Sequence, residues 1–75
     1  MSSEQVSLAR QADFEAARDV LAGLIGYGSA HDDPAWAQRI RDWADRRNRL
    51  RPNDAAAVAT VLDVDAAELA ALRRS

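Results

Sequence analysis

The chain has 75 residues, of which 48% are hydrophobic and 29% are charged, and its formal net charge is −2. A chain of this length buries only about 60% of the surface that its unfolded form exposes, which disfavours an elaborate catalytic cleft. It contains no cysteine, which excludes disulfides and thiolate metal sites. We therefore expect one small domain over residues 1–75 that is not an enzyme. Alanine supplies 17 of the hydrophobic residues, so large core side chains are scarce and we expect a homo-oligomer.

The start of the chain lacks a basic stretch followed by an apolar one, which is the pattern of a secretory signal. Nowhere does the sequence contain an apolar run near the roughly 20 residues that a membrane helix needs. These features predict a cytoplasmic protein without a membrane partner. All ten basic residues are arginine, and together with the alanine excess this predicts a GC-rich gene and a bacterial source.

The first predicted helix covers approximately residues 4–25. Its apolar residues recur at helical spacing and fall on one stripe: Phe14, Ala17, Val20, Leu21, Leu24 and Ile25. Gly26 and Gly28 are suited to a left-handed position after a helix. They therefore predict that the first helix ends there, with a loop over residues 26–33.

The second predicted helix covers approximately residues 34–48. Asp33 can accept hydrogen bonds from the free amides of the first turn, and Pro34 fits the first helical position. The predicted buried stripe consists of Trp36, Ile40, Trp43 and Leu50.

Two short helices are predicted next, at approximately residues 54–62 and 66–74. Asn53 or Asp54 can cap the first of them. A turn at residues 63–65 is predicted to separate the two, because Asp65 and Glu68 have the spacing of a capping box. Val64 and Leu69 have the spacing of a hydrophobic staple. The expected fold is all-α, a compact bundle of about four helices.

No arrangement of residues in the sequence predicts catalysis. His31 is the only histidine, and it lies in the predicted loop, where one histidine beside two aspartates is an incomplete metal-ligand set. Phosphate-binding and dinucleotide-binding glycine motifs are absent. We expect no catalytic residue, no metal and no cofactor.

Charge is segregated along the chain. Residues 36–51 carry a net charge of +4, whereas residues 1–35 carry −4 and residues 52–75 carry −2. Five arginines near the end of the second helix are candidates for binding a phosphate backbone: Arg41, Arg46, Arg47, Arg49 and Arg51. An alternative remains open, because Asp42 and Asp45 each precede an arginine by four residues and could pair with Arg46 and Arg49 on a solvated face.

The two tryptophans also allow two interpretations. Trp36 and Trp43 lie on one face of the second predicted helix, where large aromatic side chains suit a small core. If a face of either ring stays exposed, it can instead anchor a protein partner.

Residues 40–75 resemble the C-terminal half of a Xre/Cro-type helix-turn-helix DNA-binding domain. The resemblance is carried by Ile40-Arg41-Asp42-Trp43, by the basic residues Arg46-Arg47, Arg49 and Arg51-Pro52, and by the stretch from Val58 to Leu69. Within that stretch, Leu62-Asp63-Val64-Asp65 occupies the place of the family's turn. It implies a small DNA-binding transcriptional regulator in which the five arginines named above face DNA. The alternative function is a protein–protein interaction module, such as an adaptor, immunity or oligomerisation domain, that does not bind nucleic acid.

Overall fold

The protein is built from three helical arms. The computed structural model describes residues 3–31 and 33–74, with side chains described from residue 10 onward. The first two arms are α1 (Ser3–Ser29) and α2 (Pro34–Arg49). The third arm runs without a break through α3 (Ala55–Thr60), a π-helical segment (Val61–Asp65) and α4 (Ala66–Arg74). All regular secondary structure in the described residues is helical, so the predicted all-α class is confirmed.

The three arms share one hydrophobic core. Its buried side chains come from all three arms and from Leu50, the residue after α2. They are Ala17, Leu21, Leu24, Trp43, Leu50, Val58, Val61 and Leu69. The remaining members of the predicted α1 and α2 stripes are half-buried and pack against these residues: Phe14, Val20, Ile25, Trp36 and Ile40. Both predicted stripes are therefore confirmed, and each large buried side chain contributes about 1.5 to 3 kcal/mol through the hydrophobic effect.

The end of α1 differs from the prediction. The helix does not stop at residue 25 but continues through Gly26 and Gly28 to Ser29, and none of the three glycines has a positive φ. Gly28 is buried, and a Cβ atom there would lie 3.0 Å from Cγ1 of Ile40. Its missing side chain lets α1 approach α2 closely, so this glycine acts in helix packing and does not form a turn.

The helix starts follow the predicted caps. The Asp33 carboxylate accepts a hydrogen bond from the backbone N–H of Ala35 at 2.9 Å, and Pro34 is the first residue of α2. The Asp54 carboxylate accepts from the backbone N–H of Ala57 at 3.1 Å. The predictions for Asp33 and for the Asp54 alternative are therefore confirmed.

The predicted turn at residues 63–65 is wrong, and so is the count of four separate helices. The backbone N–H of Ala66 donates to the carbonyl of Val61, five residues earlier, which keeps the chain helical. Asp65 is only 3% exposed, and its carboxylate contacts Arg46 instead of capping a helix. Val64 is 59% exposed, so the expected staple to Leu69 is not formed. The wider π-helical turn accommodates one extra residue without a break in the helix.

α1 is longer than the arm that packs beside it. At 1.5 Å per residue its 27 residues span about 40 Å, whereas the 16 residues of α2 span about 24 Å. The radius of gyration is 13.7 Å, compared with about 11 Å expected for a compact domain of this length. Within the described residues, no helix is both long enough and apolar enough to cross a membrane.

Candidate functional site

Arg46 is held by the buried carboxylate of Asp65. Its two terminal nitrogens each donate to a different carboxylate oxygen, with Nη1 3.0 Å from Oδ1. The Asp65 side chain is 5% exposed and that of Arg46 is 43% exposed. The hydrogen bond to Asp65 raises the pKa of Arg46 above its usual range, so the guanidinium stays charged. The alternative pair with Asp42 is not formed, because Asp42 accepts from Gln38 Nε2 at 2.9 Å.

Arg49 and Arg51 also make contacts within the chain. Arg49 Nη2 lies 3.0 Å from Asp45 Oδ2, which confirms the predicted i,i+4 pair. Arg51 Nη1 donates to the backbone carbonyls of Asn48 at 2.8 Å and Leu50 at 3.0 Å. Because Asn48 lies in the last turn of α2 and Leu50 is its C-cap residue, Arg51 stabilises the end of that helix.

The other two predicted arginines point in different directions. Arg41 is exposed and donates from Nη2 to Gln38 Oε1 at 3.2 Å. Arg47 is half-buried against α1, beside Glu15 and Asp19, and its Nε is buried with no hydrogen-bond partner among the described residues. The structure therefore does not bring the five arginines together as one exposed group.

The two tryptophans have different environments. Trp43 is 4% exposed and belongs to the core, whereas Trp36 is half-buried, with its ring centroid 6.2 Å from that of Trp43. The Arg39 guanidinium lies 4.7 Å from the Trp36 ring and 4.9 Å from the Trp43 ring, and it forms an ion pair with Glu68. The sequence analysis did not single out Arg39. Its spacing was the available signal, since it follows Trp36 by three residues and precedes Trp43 by four.

His31 packs on the end of α1. Its Nδ1 donates to the carbonyl of Tyr27 at 2.7 Å, and its ring centroid lies 4.4 Å from that of Tyr27. In the part of the chain that the structure describes, no group of three or more His, Cys, Asp or Glu side chains is placed to hold a metal ion.

An apolar groove of about 390 Å³ lies between α1 and the third arm. Its floor is formed by Pro52, Ala55, Val58, Ala59 and Leu62. Ala55 and Ala59 are exposed and lie one turn apart on α3, so another helix can approach the backbone closely there. Leu62 belongs to the π-helical segment, and segments of this kind occur frequently at functional sites. We call this feature the α1–α3 groove.

Three charged side chains form the rim of the α1–α3 groove. Arg10 and Asp13 lie on α1, and Asp63 lies on the π-helical segment. All three are exposed, and none of them forms a hydrogen bond or ion pair with another described residue. The rim therefore offers charges of both signs to a partner.

Sequence reasoning did not find this groove. Ala55 and Ala59, like Val58 and Leu62, have the i,i+4 spacing of one helix face, which was the available signal. The packing of α1 beside α3 is what turns that face into a groove.

Comparison of the chain with protein-family models, curated proteins and solved structures gives no match.

Proposed function

We propose that the chain is a protein–protein interaction module that binds its partner through the α1–α3 groove. The observation that carries this proposal is an open apolar floor surrounded by three charged side chains without partners among the described residues. Protein interfaces have the same anatomy, with an apolar centre and a polar rim. Docking of a protein would cover the floor and give the rim charges their counter-ions.

The contacts of the arginines favour this function over DNA binding. To contact phosphates, Arg46 would have to leave the buried Asp65 carboxylate, and an unpaired buried charge is strongly destabilising. Arg51 would have to release the carbonyls at the end of α2. Arg41 and Arg49 are exposed and contact only side chains of their own helix, and DNA binding through them stays a prediction that the experiment below tests.

The first experiment is a titration of duplex DNA followed by fluorescence anisotropy in about 50 mM salt, where even non-specific phosphate contacts are visible. We expect no salt-dependent binding. A matched variant, Arg41→Gln with Arg49→Gln, leaves the Arg46–Asp65 pair intact and should give the same flat titration. Binding that the double variant weakens, with a salt slope reduced by about 2, would contradict the proposal.

The second experiment places a photoreactive amino acid at Ala59 in the groove and, as a control, at the exposed Ala70 of α4 in cells that produce the protein. We expect a cross-linked protein adduct at Ala59 and much less at Ala70. Equal yields at the two positions, or no adduct at Ala59, would count against the groove as a binding surface.

A further inference from the structure

The rim charges on α1 are arranged so that the same surface can complement itself. Arg10 and Asp13 are three residues apart on one helix, which places them on neighbouring positions of the same face. If two copies of α1 cross in antiparallel orientation between these residues, Arg10 of each copy faces Asp13 of the other. Two ion pairs then form from one surface, related by a two-fold axis.

We propose that the partner in the α1–α3 groove is a second copy of this chain. Each α1 lies against the groove of the other copy in an antiparallel two-fold dimer, the commonest symmetry of homo-oligomers. This inference rests on the proposed function, because it uses the same groove and adds the identity of the partner.

The floor of the groove suits a helix as its occupant. Ala55 and Ala59 carry no side chain beyond Cβ, so the axis of an incoming helix can lie close to α3, as small residues allow in helix packing. The second copy therefore meets an apolar floor and opposite charges along the same helix.

The length of α1 agrees with this arrangement. Arg10 and Asp13 are exposed and precede Phe14, the first described residue of α1 that packs on the core. Helical turns without tertiary packing are marginal in water. A second copy would cover this part of α1 and supply the packing that α2 does not reach.

The test is sedimentation equilibrium of the wild-type chain and three variants: Arg10→Glu, Asp13→Arg and the double charge swap. Each single variant places like charges opposite each other twice, so we expect dimerisation to weaken by about tenfold. The double swap restores both pairs with reversed polarity and should regain the wild-type dissociation constant to within about threefold. If the groove bound a different protein, the double swap would not restore that binding. Both positions are exposed, and thermal melting checks that each variant folds.

Two results would overturn the second copy as the partner. One is a wild-type chain that stays monomeric up to about 1 mM, and the other is a double swap as weak as the single variants. These results differ from the failure of the proposed function, which would appear as salt-dependent DNA binding or as loss of the Ala59 cross-link. A monomeric chain that still cross-links another protein at Ala59 contradicts the dimer alone.

Discussion

Gly26 and Gly28 lie two residues apart on α1 and have different surroundings. A Cβ atom at Gly26 would meet no atom within 4 Å, whereas one at Gly28 would lie 3.0 Å from Ile40 Cγ1 and 3.3 Å from Trp36 Cε3. Both positions are helical, so alanine gains helix propensity at each. At Gly28 that gain is opposed by crowding between α1 and α2.

We therefore expect Gly26→Ala to stabilise the protein by about 0.5 to 1 kcal/mol. Gly28→Ala should be less stable than Gly26→Ala by about 1 to 2 kcal/mol, because Ile40 or Trp36 must move. Urea unfolding of the two variants measures the difference. A destabilising Gly26→Ala would mean that the helix ends at this glycine in a left-handed conformation.

The Arg46–Asp65 pair gives a second prediction at the residue scale. Replacing one partner leaves a charge without its counter-ion, and because Arg46 is 43% exposed we expect Arg46→Gln to cost about 1 to 3 kcal/mol. The exposed control, Arg49→Gln, should cost about 0.5 kcal/mol or less.

A double-mutant cycle separates pairing from capping. If the carboxylate of Asp65 pairs with Arg46, the variants Arg46→Gln and Asp65→Asn are coupled by about 1 kcal/mol or more. Additive free energies of unfolding in this cycle would instead support a capping role for Asp65.

These residues also show what sequence alone could not decide. Asp65 followed by Glu68 carries the local signal of a helix cap, and the same aspartate is equally able to pair with an arginine from another arm. Gly28 carries the signal of a helix end, yet glycine also occurs where two helices approach closely. In both cases the tertiary neighbour, Arg46 or Ile40, determines the outcome.

At the scale of elements, local sequence signals were sufficient to predict the start of a helix where the capping residue and the first turn are adjacent in sequence. Asp33 and Pro34 defined the start of α2, and the stripe of apolar residues defined its buried face. The third arm was different, because Asp65, the last residue of its π-helical segment, contacts Arg46 on α2. Local propensity is a weak guide when tertiary contacts compete with it.

Asp54 caps the third arm, and we expect Asp54→Ala to cost about 1 kcal/mol. Asn53→Ala is the matched control, since Asn53 is exposed and makes no cap hydrogen bond in the described structure. Urea unfolding midpoints give the comparison. Equal midpoints for the two variants would show that Asp54 does not stabilise the start of α3.

At the scale of the whole molecule, the amino-acid composition predicts that large core side chains are scarce. The feature that it could not predict is where the exposed apolar surface lies, because the α1–α3 groove exists only when α1 packs beside α3. The fold distributes the five arginines of the basic segment over different contacts. The proposed function therefore rests on the α1–α3 groove and the charges at its rim.

The central claim is that copies of the chain meet through the α1–α3 groove, and a concentration series of ¹H–¹⁵N spectra tests it most directly. Between about 10 µM and about 1 mM, we expect peak shifts at groove and rim residues, such as Arg10, Ala59 and Asp63. The amide peaks of Arg41 and Ala70 should stay in place. Spectra that do not change with concentration, or shifts centred on Arg41 instead of the groove, would contradict the account.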